Sequence, residues 1–171
     1  MKNYVLKGGL CLAALAIGFA QPARAAMGCW DQNHAAAAKI RDLQSRLMVA
    51  TMRCRAFGFD VLPEYNEFVR ANRSTIQEAN GLIKKQFTRG YGPQGQSRYD
   101  SFTTSLANAY GADETSVEVC EETAELASEA VAAAGNADRL LYIADSIGSR
   151  PDLPGGECPV SLASAEIEVD I

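Results

Sequence analysis

The chain has 171 residues, with 16 Lys and Arg against 21 Asp and Glu, a single histidine and a formal net charge of −5. That balance excludes a general attraction to nucleic acid or anionic lipid, which needs an excess of cations. One histidine also leaves little for imidazole-based catalysis or metal binding.

The N-terminus reads as a secretory signal peptide. Lys2 and Lys7 supply the positive start, Gly8 to Ala20 is uncharged and mostly apolar, and Gln21-Pro22 breaks the run. Ala23-Arg24-Ala25 then has the small-x-small pattern of a signal peptidase site. The apolar run falls short of the roughly 20 residues that a membrane-crossing helix needs. Cleavage is therefore expected after Ala25. Residues 1–25 are read as the leader, 26–150 as a helical domain and 151–171 as a Pro/Gly-rich tail. A lipid attached to Cys29 is the rival reading, but Ala26 stands where an aliphatic residue is usual. Removing Lys2, Lys7 and Arg24 from the 16 cations leaves 13 against 21 acids, or −8. The expected location is the bacterial periplasm or the outside of the cell, with no transmembrane segment after cleavage and no nucleic-acid partner.

Charge is divided along the chain. Residues 38–98 hold eleven cations and five acids, whereas residues 99–171 hold two cations and fifteen acids. Either the two halves of one bundle attract each other across their rims, or the surface is bipolar and one face meets a charged partner.

Hydrophobic residues recur with a period near 3.6 almost throughout, so the chain reads as helices. Ile40, Leu43, Leu47, Ala50 and Cys54 make one stripe, ended by Phe57-Gly58-Phe59. A second helix is expected from Pro63 to Phe87, on Tyr65, Val69, Ile76, Ala79, Ile83 and Phe87, with Asn72 interrupting the stripe. Gly90 is placed to stop it, and Gly90 to Gly95 reads as a turn. A third helix is expected near Ser97 to Tyr110. The fourth opens at Thr115 and Glu118, at capping-box spacing, and carries Val117, Cys120, Ala124, Ala127 and Val131. Asn136 caps a fifth, about Ala137 to Ile147. Beyond Gly148, Pro151, Pro154 and Pro159 forbid helix. Ile167, Val169 and Ile171 alternate with acids, a pattern for a short strand or an acidic tail.

Cys11 falls in the leader, so Cys29, Cys54, Cys120 and Cys158 remain, an even count that reads as two disulfides. The first helix separates Cys29 from Cys54 by about 30 Å, while bridged cysteines need Cα atoms within about 7 Å. The favoured pairs are Cys54–Cys120 and Cys29–Cys158. The spacings match no zinc pattern.

Candidate chemistry is sparse. His34 reads as a surface or capping residue. Met48 and Met52 share a helix face and read as core filler rather than a soft-metal pair. Glu118, Glu121, Glu122, Glu125 and Glu129 read as a solvated stripe rather than a cation site. Trp30 is expected to pack against the neighbouring disulfide. No nucleophile, haem or phosphate-loop motif is present in the sequence.

The expected fold is all-α, an antiparallel four- to five-helix bundle with an irregular C-terminal tail, stapled by two disulfides. The expected function is a non-enzymatic exported protein, without catalytic, cofactor or metal residues, that binds another protein or a cell-envelope component. The alternatives are an envelope-polymer enzyme working through Glu64 and Glu67, and a small-ligand or metal carrier.

Overall fold

A computed structural model describes residues 27–159. These residues form an all-helical, disulfide-stapled bundle: α1 (Gln32–Phe57), α2 (Leu62–Ala71), α3 (Arg73–Tyr91), α4 (Gly95–Ala109), α5 (Val117–Ala132) and α6 (Ala137–Ser146). Residues 1–25, read from the sequence as a leader, and the alternating residues 166–171 lie outside the described residues.

α1 is the axis of the bundle. Asp31 caps it, its carboxyl oxygen accepting the His34 N–H at 2.9 Å. Gly58, at φ +99°, closes its other end, in the left-handed conformation glycine adopts without strain. α1 packs against each of the other five helices. This explains why residues off its apolar stripe, such as Ala38, Ser45 and Thr51, are buried as well.

The expected second helix is two helices. α2 and α3 return along α1, and the break falls at Asn72, which is completely buried. Its side chain leaves the helical ladder to serve another helix, as short amides readily do. Counted as rods, the bundle has five, the second of them broken.

Gly90 does not end α3, and residues 90–95 are not an open turn. The helix runs to Tyr91, a 3-10 turn follows over Gly92–Gln94, and α4 starts at Gly95. At this corner a Cβ on Gly95 would lie 2.7 Å from the Thr88 Cα, so glycine permits the close crossing of α3 and α4. α5 is capped one residue later than its sequence implies. Ser116 Oγ accepts the Val119 N–H, while Thr115 accepts from Arg53. Asn136 caps α6 through the Arg139 N–H.

The core joins α1, α3 and α4 around an aromatic cluster. Trp30 is 1% exposed and lies 5.7 Å from Phe87 and 5.8 Å from Phe102, ring centre to ring centre. It is therefore packed among rings from two helices rather than on the disulfide alone. Residues 151–159 are strapped over this end. Trp30 Nε1 donates to the Pro154 carbonyl, and the Trp30 backbone exchanges hydrogen bonds with Gly156 and Cys158. The Cys29–Cys158 bond closes the strap, and Cys54–Cys120 joins the end of α1 to the start of α5.

Candidate binding surfaces

Three clefts and two charged ends are among the surface features of the described residues that can meet a partner. The largest apolar one is a groove of about 400 Å³ between α1, α3 and α6. Its floor is Ala36, Ala37, Ile40, Ala79 and Leu141, with Glu78 and Asp138 among its polar lining. Small side chains on three helices leave the space, because alanine cannot fill the gap between them.

A second cleft, of about 230 Å³, lies between α1, α5 and the loop after α4. Arg46 and Arg53 enter it from α1. Arg53 donates to the Tyr110 carbonyl at 3.0 Å and to Thr115 Oγ1 at 2.7 Å, with Asp113 at 3.8 Å. Arg46 donates to the Ile147 carbonyl and lies 5.7 Å from the Tyr110 ring centre. The arginines are thus committed to structure. Tyr110 donates its hydroxyl to Asp42 Oδ2 at 2.7 Å, and Ser149 donates to the same oxygen at 2.6 Å. Burial, followed by the bond to Asp42 and its charge, pushes the Tyr110 hydroxyl far above its ordinary value of 10.0. The third cleft is polar and is bridged by Lys39 and Asp145, whose side chains meet at 2.7 Å.

The charge division becomes a partial division between ends, with exposed Arg55, beside Cys54, a cation at the acid-rich one. Two ion pairs join the cation-rich half to the acid-rich half among the described residues: Lys39–Asp145 and Arg53–Asp113. The α5 acids Glu118, Glu121, Glu122 and Glu125 make no ion pair with a described residue, and neither do Lys84, Lys85, Arg89 or Arg98. The acids flank Cys120, at the disulfide end of α1, whereas the four cations lie at the α3–α4 corner, where Gln86 donates to the Cys29 carbonyl.

The residues singled out by composition and spacing fall in varied surroundings. His34 is buried, not on the surface; its Nδ1 lies 2.8 Å from Asp31 Oδ1 and its Nε2 has no partner among the described residues. Met52 is 57% exposed and Met48 half-buried, so this pair is not core filler, because it faces away from the packed side of α1. All five glutamates of α5 are exposed. Val117, expected in the core, is exposed at the first turn of α5. Glu67 pairs with Arg70, Glu64 is half-buried, and neither lines any of the three clefts. Sequence pattern alone does not reveal the cluster of Asp42, Tyr110 and Ser149. Its one signal is that polar and apolar residues are only weakly segregated around α1, as suits a helix with neighbours on several sides.

Among the described residues no group of three His, Cys, Asp or Glu is placed to hold a metal ion, and no helix is long and apolar enough to cross a membrane. Compared with protein-family models, curated proteins and solved structures, the chain matches none.

Proposed function

We propose that this chain is an exported, non-enzymatic helical protein of the periplasm or cell exterior that binds another protein or an envelope component through its charged ends. The observation that carries this reading is the pair of charged ends left without ion pairs on a frame stapled by two disulfides. Exposed charges of one sign that make no ion pair within the described residues can steer and orient a partner of the opposite charge. The disulfides support an oxidising compartment, where such bonds form and persist. The leader in residues 1–25 supports export into it.

The test is expression of the full chain in a Gram-negative host, followed by fractionation and intact mass with and without reduction. A periplasmic or secreted product starting at Ala26, whose four cysteines alkylate only after reduction, is the expected result. A full-length cytoplasmic product with free thiols overturns the export reading. Photo-crosslinkers at Lys85 and Glu122 then probe the two ends in the living envelope. Discrete adducts at either end are expected, and none at both overturns the binding role.

A further inference from the structure

The polar cleft lies where α1, the end of α6 and the strap meet, and its volume is about 450 Å³. Its charged lining is two cations and two acids: Lys39, Arg150, Asp145 and Glu157. Lys39 and Asp145 neutralise each other at 2.7 Å. Arg150 and Glu157 are exposed, and neither makes an ion pair with the other or with any described residue. One cation and one acid are therefore left over on the same cleft. Two further acids are close by. Asp152 is exposed but outside the lining, and Asp42 is buried, its Oδ2 already accepting from Ser149 and Tyr110.

Both unpaired charges stand on fixed backbone. Ser149, just before Arg150, is 3% exposed; its hydroxyl donates to Asp42 at 2.6 Å and its N–H to the Ala144 carbonyl at 2.9 Å. Pro151, just after Arg150, has its φ set by its ring. Glu157 lies between two residues tied to Trp30. The Gly156 carbonyl accepts the Trp30 N–H at 2.8 Å, and the Cys158 N–H donates to the Trp30 carbonyl at 2.8 Å. The Cys29–Cys158 bond holds the same segment. Backbone fixed in this way does not have to be ordered when a ligand arrives.

We infer that this cleft binds a small zwitterion of the amino-acid type, its carboxylate on Arg150 and its ammonium on Glu157. Three observations select that class. The volume falls among small-molecule sites, which span about 300–1,000 Å³. The unpaired charges are of both signs, so a simple anion or a simple cation matches one and leaves the other unmatched. Pro151 is the one apolar side chain of the lining, so the ligand's own side chain is small or polar. The chemistry is complementary at both ends. A guanidinium presents parallel N–H donors to the two oxygens of a carboxylate, and an ionised glutamate only accepts, as an ammonium group requires. The cleft shares no residue with the charged ends, and its ligand is additional to any partner they meet.

The test uses the full chain purified with both disulfides closed. L-alanine is titrated at constant ionic strength while the backbone amide signals are followed by NMR. Shifts confined to the surroundings of Arg150 and Glu157, saturating in the millimolar range, are expected from two charge-assisted contacts. N-acetyl-L-alanine keeps the carboxylate and loses the ammonium; L-alaninamide does the reverse. Each is expected to bind at least about tenfold more weakly than L-alanine. Arg150→Gln and Glu157→Gln are each expected to weaken L-alanine binding by about tenfold or more, with an unchanged helical circular dichroism spectrum. Equal binding of N-acetyl-L-alanine assigns the cleft to anions, equal binding of L-alaninamide assigns it to cations, and either overturns the proposal. Absence of localised shifts, or unchanged affinity in either variant, overturns it as well. Lys85 and Glu122 lie outside the cleft, so the crosslinking experiment tests partner binding separately.

Discussion

Asn72 and Ala130 are joined across the bundle by a fully buried hydrogen bond, the Asn72 Nδ2 donating to the Ala130 carbonyl at 2.8 Å. The same amide donates to Phe68 and accepts the Gly135 N–H at 2.8 Å. One side chain thus satisfies a carbonyl near the end of α5 and an N–H of the turn after it, at the point where α2 gives way to α3.

Replacing Asn72 strands both of those backbone groups. Each buried group without a partner costs about 1–3 kcal/mol. Asn72→Ala is therefore expected to destabilise by about 3 kcal/mol, and Asn72→Leu to do no better despite its apolar side chain. Urea unfolding with an unchanged slope measures this. A loss below about 0.5 kcal/mol would place it with ordinary surface changes and sink the assignment.

The two disulfides are expected to differ in accessibility. Cys54 and Cys120 are 1% and 0% exposed, whereas Cys29 is exposed and Cys158 half-buried. Thiol exchange needs access of the attacking thiolate to sulfur. Mild reduction followed by alkylation and peptide mapping should label Cys29 and Cys158 first and release the strap over Trp30. Full reduction should then unfold the bundle; opening the 66-residue separation of Cys54 and Cys120 costs about 4 kcal/mol on the chain-entropy account. Labelling of Cys54 before Cys29 would contradict the burial argument.

Tyr110 and Ser149 donate to a single oxygen of Asp42, so their substitutions are expected to be non-additive. Tyr110→Phe and Ser149→Ala should each cost about 1 kcal/mol, and the double change should differ from their sum by about 0.5 kcal/mol or more. The Tyr110 hydroxyl is held above its ordinary 10.0, so its contribution is complete below that pH and is lost as pH rises through the higher folded value. Native protein should therefore lose stability above pH 10 more steeply than Tyr110→Phe. Tyr65, also raised by burial, sets the slope that remains. Parallel alkaline stability curves for the two proteins would refute this.

Gly95→Ala is expected to be destabilising although position 95 is helical, at φ −55°. The new methyl group would meet the Thr88 backbone and the Phe87 carbonyl within 2.9 Å. Backbone cannot move aside as a side-chain end can, so a cost of about 1–3 kcal/mol is expected. Gly111→Ala, whose nearest new contact is 3.5 Å, serves as the control in the same thermal melts.

Local physics made much of this protein legible. A repeating apolar stripe needs no tertiary information, and neither do Gly58 closing α1 or Asn136 capping α6, because each acts within one turn of chain. The rise of a helix likewise forbids Cys29 from meeting Cys54, and the bonds are Cys29–Cys158 and Cys54–Cys120. Only tertiary structure decided the rest. Asn72 breaks a helix because α5 offers it a carbonyl, Gly90 stays helical one residue before the end of α3 with Met27 packed against it, and Asp42 is buried where Tyr110 and Ser149 close over α1. The same holds for the charged ends. Composition counts the cations and acids along the chain, but whether they pair or stand apart depends on where the helices carry them, and a bundle about 39 Å long carries them beyond each other's reach.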